Sequence, residues 1–259
     1  MPTDGTRRYA IVRGVAGNFD NCIKPHGEPS AIDMDLARRQ HASYCSLLET
    51  LGLELIRLDA DDRFPDCCFV EDTAVVAGET AIICEMGASS RRGEEEAVAG
   101  VLRERSHSLR RLEPPATLDG GDVIVTGNKV YCGMTERSNR AAAAKLEEFL
   151  EPEGMEVVPV PVTHVLHLKS ACTSLAPGVV LIAEQFAGAE AFAGFDRIVV
   201  PAHESYAANC LSVNGTVVLS AGFPRTRKLV EERGYPVEPL EMTEFRKAGG
   251  SLTCLSILL

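Results

Sequence analysis

The segment CLSVNGTVVLS at residues 210–220 places the dipeptide Asn214-Gly215 between two short apolar runs. Both residues of the dipeptide tolerate the positive φ that a type I′ turn requires, so the segment predicts a β-hairpin. Three further pairs of strand-like runs, each separated by turn residues, have the same form. They occupy residues 73–77 with 80–84, 122–126 with 129–132, and 171–175 with 179–183.

The turns of the four predicted hairpins recur along the chain. Their glycines, Gly78, Gly127, Gly178 and Gly215, are separated by 49, 51 and 37 residues. A loose repeat of this kind is typical of a propeller-like array of modules and argues against a doubly wound sheet. Helical patterns fall between the hairpins, at residues 32–51, 92–105, 139–150 and 229–233.

Two strand-like runs at the ends of the sequence, residues 9–13 and 252–258, have no neighbouring partner. If they pair with each other, they complete a fifth module and close the ring without an open seam. No linker rich in Pro, Gly or Ser divides the chain. The sequence therefore predicts an α/β fold, a five-module propeller in which residues 1–259 form a single domain.

The charge balance limits the classes of partner. The 259 residues include 26 Lys+Arg and 37 Asp+Glu, a formal net charge of −11. Binding of phosphate backbones needs clustered basic residues, so we expect no nucleic-acid partner, whereas a cationic small molecule is compatible. No apolar run reaches the roughly 18 to 20 residues of a membrane helix, and none follows residues 1–8, so we expect neither a membrane span nor a secretory signal.

The chain contains nine cysteines, an odd number, and no C-x-x-C pair. This usage argues against a disulfide framework and against zinc-ribbon or thioredoxin sites. We expect most of these thiols to be small buried side chains kept reduced in the cytoplasm. An alternative is a metal site formed by the vicinal pair Cys67-Cys68 with Cys45 and Cys84, but the spacing of these residues matches no known ligand pattern.

Polar clusters stand near the start of each hairpin and in the C-terminal run. They read FVED at 69–72, LDGGD at 118–122, HLKS at 167–170, NCLS at 209–212 and GGSLTC at 249–254. In a closed array of equivalent modules, the same position of each module faces the central axis. We therefore expect carboxylates, a histidine and a thiol around one axial cavity.

These motifs resemble those of a known family. FVEDT at 69–73, LDGGDV at 118–123, HLKS at 167–170 and LTCLS at 252–256 are similar, in this order, to motifs of the dimethylarginine dimethylaminohydrolases. These enzymes are members of the guanidine-modifying pentein superfamily. The resemblance implies five ββαβ modules with an active site in the axial channel. It also implies hydrolysis of asymmetric dimethylarginine or monomethylarginine to citrulline and an alkylamine, with no cofactor or metal.

The resemblance assigns the catalytic roles. Cys254 matches the nucleophile, which would form a covalent thiouronium with the guanidinium carbon. His167 matches the general acid and base, and Asp119 the carboxylate that orients it. His164 is the rival of His167, and on a strand the two would point to opposite faces. Asp122 is expected in a structural, turn-capping role.

The substrate contacts also follow from the resemblance. Carboxylates suit the guanidinium and the α-amine of an amino-acid substrate, and a pair of arginines suits its α-carboxylate. Residues 14–24 take the place of a mobile lid. Phe19 is the alternative to Ile23 on this lid, and Arg92 is the alternative to Arg91. The matching substrate contacts are Ile23, Asp66, Glu71, Asp72, Arg91, Arg137 and Ala248.

Other functions remain alternatives at this point. Arginine deiminases and amidinotransferases use a similar set of cysteine, histidine and carboxylate. A non-enzymatic binding protein on the same propeller would lack the axial Cys and His, and both are present here. A thiol-rich metal or redox protein is a third possibility. The expected partner is a cationic, methylated arginine, and a homodimer is compatible with the sequence.

Overall fold

The computed structural model describes residues 7–24, 31–105 and 108–259. Within these ranges the chain forms five separate three-stranded sheets. The sheets are β15–β1–β2 (Ile257–Leu258, Tyr9–Arg13, Glu54–Leu58), β3–β4–β5 (Ala74–Ala77, Thr80–Ile83, Ser108–Arg111), β6–β7–β8 (Val123–Thr126, Lys129–Met134, Glu156–Pro161), β9–β10–β11 (Cys172–Ala176, Val179–Ala183, Asp196–Val200) and β12–β13–β14 (Leu211–Val213, Thr216–Ser220, Val237–Leu240).

Each sheet has the strand order and directions of the ββαβ unit implied by the family resemblance. Its first two strands are antiparallel, and the third is parallel to the middle strand. A crossover joins the two parallel strands, as parallel pairing requires. The crossover helices are α1 (Met34–Thr50), α2 (Glu95–Arg105), α3 (Arg140–Leu150) and α4 (Pro224–Glu232); the fourth module instead uses two 3₁₀ turns, Glu184–Phe186 and Glu190–Phe192.

The helix ends follow local sequence. The Asp33 side chain caps α1 by accepting from the Leu36 N–H, and Asn139 caps α3 through the Ala142 N–H. These bonds satisfy donors that the first turn of a helix leaves unpaired. A fifth helix, α5 (Thr243–Lys247), leads into the C-terminal segment.

The two ends of the chain meet, as the sequence predicted. β1 and β15 pair antiparallel, with Ala10 opposite Leu258 and Ile11 opposite Ile257. This pairing completes the sheet β15–β1–β2, the first module in the order given above. No hydrogen-bonded ladder joins one described sheet to the next, so the ring is held by side-chain packing.

Five apolar clusters lie between adjacent modules. Alternation along the strands supplies both faces of each sheet: in β4, Ile82 packs towards the third module while Ala81 and Ile83 pack towards the first. Val180 and Leu181 divide β10 between its two neighbours in the same way. Each sheet is therefore buried on two sides, which explains the nearly continuous apolar runs of the predicted hairpins.

One strand prediction needs correction, and one set of strands was not located by the sequence patterns. The predicted strand 252–258 is a strand only at Ile257–Leu258, because Thr253–Leu255 forms a 3₁₀ turn closed by the Leu255 N–H on the Leu252 carbonyl. The third strand of each module was missed. These strands are edge strands with mixed polar and apolar residues, such as ELIRL in β2 and SLRR in β5, so they give a weak signal.

A 3₁₀ turn precedes the innermost strand of every module. The five turns are Val70–Thr73, Gly120–Asp122, Leu168–Ser170, Ala202–Ala208 and Thr253–Leu255. They include or adjoin the polar clusters of the sequence and surround one end of the axis. The innermost strands themselves line an axial cavity of about 190 Å³ at the other end. None of the helices in the described ranges combines the length and apolar character needed to cross a membrane.

Candidate active site

A small pocket of about 30 Å³ brings together eight of the ten predicted site residues. Asp119 and Glu71 are the two that do not line it. Phe69, Leu166, Gly249 and Gly250 also line the pocket, and the sequence analysis did not assign Phe69 or Leu166 to the site. The eight residues are Ile23, Asp66, Asp72, Arg91, Arg137, His167, Ala248 and Cys254.

The proposed nucleophile lies on the 3₁₀ turn Thr253–Leu255. The Ser251 N–H donates to Cys254 Sγ over 3.4 Å. Gly250 must lack a side chain, because a Cβ there would collide with the Phe69 ring. Burial and the negative charges of Glu71 and Asp72 raise the pKa of the Cys254 thiol well above its usual value. Cys254 is half-buried, whereas the other eight cysteines are buried free thiols.

The histidine and its carboxylate form a buried pair. His167 Nε2 lies 3.0 Å from Asp119 Oδ2, and Asp119 Oδ1 accepts from the Gly87 N–H over 2.8 Å. Burial alone would lower the pKa of His167, but the charge of Asp72 and the contact with Asp119 raise it to about 9. The imidazole is therefore protonated near neutral pH.

Neither candidate histidine is on a strand, so that part of the reasoning was wrong. His164 lies in a bend with φ of 69° and is exposed, whereas His167 is buried at the start of a 3₁₀ turn. Asp122 has a structural position, accepting from the Leu168 N–H and from the hydroxyls of Thr135 and Ser138.

Arg91 is held by an extensive set of acceptors. Its Nη1 donates to Asp72 Oδ2 over 2.6 Å, its Nη2 to the Phe69 carbonyl over 2.9 Å, and its Nε and Nη2 to Glu94. Burial alone would raise the pKa of Asp72, but the charges of His167 and Arg91 hold it below its usual value. Arg92 is outside the pocket, in contact with Glu85.

Glu94 was not recognised from the sequence. Its carboxylate receives both Nε and Nη2 of Arg91, and burial raises its pKa to about 7 although Arg91 opposes the shift. The spacing of three residues between Arg91 and Glu94 was the available signal. Because most donors of Arg91 are already occupied, Arg137 has more capacity for a new anion. The described contact of the Arg137 guanidinium is Asp119 Oδ2, at 3.7 Å.

Segment 14–24 reaches the pocket through Ile23. The Ile23 N–H lies 3.2 Å from both Asp66 oxygens, and the Gly17 N–H donates to Asp62 over 2.6 Å. Ile23 lines the pocket, whereas Phe19 is fully buried against Phe69 and Phe245. Burial raises the pKa of Asp66, with Arg91 opposing the shift.

Glu71 does not line the pocket of Cys254, although its negative charge helps to raise the pKa of the Cys254 thiol. Its carboxylate accepts from Lys169 Nζ and from Thr253 Oγ1, each over 2.7 Å, and it lines the axial cavity at the other end. The sequence analysis placed Glu71 among the substrate contacts, and the structure does not bring it there. Adjacent side chains in a 3₁₀ turn point about 120° apart, so Glu71 and Asp72 face different cavities.

One group of acidic and histidine side chains has the spacing of a metal site. Among the residues that the structure describes, only Asp72, Asp119 and His167 bring three such ligand atoms within 4.8 Å of one another. These atoms already engage protein partners, including Arg91 and the Gly121 N–H at Asp72. The four cysteines considered from the sequence as a metal site, Cys45, Cys67, Cys68 and Cys84, do not form such a group.

Gly121 separates the two charged groups that face each other in the site. A Cβ at Gly121 would stand 2.7 Å from Asp72 Oδ1 and 2.8 Å from His167 Nδ1. We expect Gly121→Ala to displace both groups and to lower kcat by about 100-fold, because small misplacements of reacting groups are costly. Overpacking should also destabilise the fold by about 1–3 kcal/mol. Turnover assays and thermal melts test this.

Gly194→Ala is the matched control, since nothing lies within 4 Å of a Cβ at that position. It should leave both turnover and melting temperature near those of the wild type. Wild-type turnover in Gly121→Ala would show that the spacing between Asp72 and His167 is not critical.

Five ββαβ modules around an axis, with a thiol, an imidazole and carboxylates in one pocket on it, define the pentein class of guanidine-modifying proteins. Comparison with known proteins narrows this class. A family profile described as eukaryotic N,N dimethylarginine dimethylhydrolase matches residues 14–187.

Individual relatives agree over nearly the whole chain. The N(G),N(G)-dimethylarginine dimethylaminohydrolase of Pseudomonas aeruginosa is 37% identical over 253 residues, covering 96% of this chain and 98% of the relative. That of Streptomyces coelicolor is 35% identical over 252 residues, 97% of each chain. A solved structure of the P. aeruginosa protein, a serine-for-cysteine mutant with citrulline, matches at TM-score 0.95 and 33% identity over 98% of this chain and 100% of that one. The chain belongs to the dimethylarginine dimethylaminohydrolase family.

Proposed function

We propose that this protein hydrolyses N-ω-methylated arginine, asymmetric dimethylarginine and monomethylarginine, to citrulline and an alkylamine. The observation that carries the proposal is the pocket that Cys254 shares with His167, whose ring is held from behind by Asp119, with Asp66 and Asp72 as anions for a cationic substrate. The names of relatives at 35% and 37% identity support the same reaction.

The first half of the reaction forms a bond to sulfur. A guanidinium bound beside Cys254 offsets the carboxylate charges that raise the thiol pKa, so the thiol releases its proton to solvent. The thiolate attacks the guanidinium carbon, and the C–N bond to the methylated nitrogen breaks. Asp119 occupies His167 Nε2, so Nδ1 is the nitrogen that gives a proton to the departing amine.

The second half returns the enzyme to its starting state. The neutral imidazole accepts a proton from water as the water oxygen attacks the thiouronium carbon. The C–S bond then breaks, citrulline leaves, and the thiol regains a proton. Asp119 keeps the ring oriented in both halves and stabilises its charged form.

The remaining pocket residues fit an amino-acid substrate. Asp66 and Asp72 suit the guanidinium and the α-amine, while Arg137, assisted by Arg91, suits the α-carboxylate. Ile23 and Ala248 offer apolar contact, and segment 14–24 acts as a lid. The whole chain acts as one catalytic domain, and nine cysteines with no disulfide between them favour a cytoplasmic location.

A substrate panel tests the proposed specificity. We expect kcat/KM for dimethylarginine and monomethylarginine to exceed that for arginine by about tenfold or more, because the apolar pocket wall of Ile23, Phe69 and Leu166 suits an N-methyl group. Citrulline release from the three substrates, assayed in parallel, measures this ratio.

The panel also separates the alternatives. A preference for arginine would identify a deiminase and contradict the proposal. Transfer of the amidino group to an added amine, without citrulline, would identify an amidinotransferase. Binding of methylarginine without any turnover would identify a binding protein.

A further inference from the structure

The peptide group between Gly250 and Ser251 lies beside the Cys254 sulfur. Its N–H belongs to Ser251 and donates to Cys254 Sγ over 3.4 Å. Its carbonyl belongs to Gly250 and accepts from the Tyr206 hydroxyl over 2.8 Å. The N–H and C=O of a planar trans peptide point in opposite directions, so the phenol and the sulfur lie on opposite sides of one rigid unit. The position of the phenol therefore bears on the direction of the N–H.

Side chains do little to fix the orientation of this peptide. Gly250 has none, so rotation of the peptide meets less steric resistance there than at any other residue type. The Gly250 N–H donates to the Phe245 carbonyl over 2.9 Å, and this bond anchors the preceding peptide. In the described part of the chain, the Tyr206 hydroxyl is the one hydrogen-bond donor to the Gly250 carbonyl. The phenol thus selects the orientation that places the Ser251 N–H on the sulfur.

Tyr206 is itself held in place. Its ring packs against Phe223 with the centroids 5.8 Å apart, and the guanidinium of Arg246 lies 5.0 Å from its centroid. The 3₁₀ turn that carries Tyr206 ends at Asn209. The Asn209 side chain accepts from the Thr253 N–H and donates to Thr253 Oγ1, each over 3.1 Å. The turn of the phenol is therefore docked directly on the turn of the proposed nucleophile.

We propose that Tyr206 is a positioning residue that holds the Ser251 N–H on the Cys254 sulfur through the intervening peptide. A donor that polarises the carbonyl of a peptide also strengthens its N–H, so the phenol acts on both the direction and the strength of the bond to sulfur. A hydrogen bond to the charged form of an acid favours that form, here the thiolate. The inference rests on the proposed function in naming Cys254 as the nucleophile.

The Ser251 N–H matters because the carboxylate charges near the sulfur oppose its ionisation. Burial and these charges raise the pKa of the Cys254 thiol, whereas the N–H and one ammonium lower it. Burial also raises the pKa of the Tyr206 phenol, so it stays a neutral donor, and its loss changes no charge around the sulfur. The ionisable groups facing the sulfur are Tyr44, Asp66, Glu71, Asp72, Arg91, Arg137, His167 and Lys169.

The experiment compares Tyr206→Phe with wild type by two measurements. Citrulline kinetics should show kcat lowered about three- to tenfold, with KM changed by less than about twofold. Iodoacetamide labelling of Cys254 at about pH 8, read on its peptide by mass spectrometry, should be about two- to fivefold slower, because fewer thiols are ionised. Phenylalanine keeps the ring packing with Phe223, so the fold should be retained, and circular dichroism melts establish this.

Tyr131→Phe is the matched control. Tyr131 also packs its ring against aromatic side chains, with Phe192 at 4.9 Å and Phe195 at 5.6 Å between centroids. It lies in β7 and does not line the pocket of Cys254. Loss of its hydroxyl should leave both the citrulline kinetics and the labelling rate near those of the wild type.

The direction of the labelling change separates positioning from a merely structural role. If the phenol only kept the loop in shape, its loss would expose the half-buried sulfur, and labelling of Tyr206→Phe would be unchanged or faster. That result would overturn the inference, as would a wild-type kcat or a rise in KM at unchanged kcat. Labelling needs no turnover, so absence of citrulline in the wild type would refute the proposed function while the labelling rates still judge the role of Tyr206.

Discussion

Replacing Cys254 by serine is expected to abolish citrulline formation while leaving the fold intact. The hydroxyl is nearly isosteric and can accept the Ser251 N–H that now reaches the sulfur. Its proton is far harder to remove than that of a thiol, and a bound guanidinium cannot make up this difference. We expect kcat to fall by about 10⁴-fold or more, as for loss of other covalent nucleophiles.

The measurement is a single-turnover citrulline assay, with circular dichroism melts to establish folding. Cys45→Ser is the control, because Cys45 is a buried thiol whose sulfur lies 3.8 Å from His41 Nδ1, a partner that a hydroxyl can use. It should retain turnover. Cys254→Ser at a rate within tenfold of wild type would refute nucleophilic catalysis by this residue.

The hairpins were accessible from sequence because their causes are local, and the closure of the ring because both ends of the chain carry unpaired apolar runs. Asn214 and Gly215 both have positive φ in the structure, at 48° and 86°, and they join the two predicted strands, with Val213 opposite Thr216. The apolar character of residues 9–13 and of the C-terminal residues favoured their pairing, since a strand left alone would leave an open edge. Each of these features is therefore visible in a short run of residues.

The direction of individual side chains was less accessible. Glu71 and Asp72 are consecutive and both acidic, yet one faces the axial cavity and binds Lys169 while the other faces His167 and Arg91. On a strand, too, consecutive side chains would point to opposite faces. No pattern in the sequence shows which of the two side chains lines the Cys254 pocket. That choice depends on Lys169, which lies 98 residues away along the chain.

Close approaches of the backbone were also missed for lack of a local signal. Gly87 must be glycine because a Cβ would stand 2.6 Å from the Arg137 carbonyl oxygen, and its N–H holds Asp119. Glycines in the sequence indicate turns first, and Gly87 is flanked by Met86 and Ala88 with no hairpin pattern. Only the assembled ring brings its backbone against that of Arg137.

Replacing His167 by glutamine is expected to lower kcat by about 10² to 10⁴-fold, because the pocket loses its proton donor to the leaving amine. With the pKa of His167 near 9, wild-type turnover should decline as pH rises through about 9, where the imidazole loses its proton.

The same pKa shift stabilises the fold. A histidine with a raised pKa contributes its full stabilisation below its unfolded pKa of about 6.5, and this contribution is lost as pH rises through 9. For this buried group the contribution is on the order of 3 kcal/mol. In urea melts, the difference in free energy of unfolding between wild type and His167→Gln should therefore be largest below pH 6.5 and should fall to a constant value above pH 9. The control is His164→Gln, which changes an exposed histidine three residues away and should match wild type in both assays. Turnover in His167→Gln within tenfold of wild type, or a wild-type rate that stays level to pH 10, would mean that another group transfers the proton.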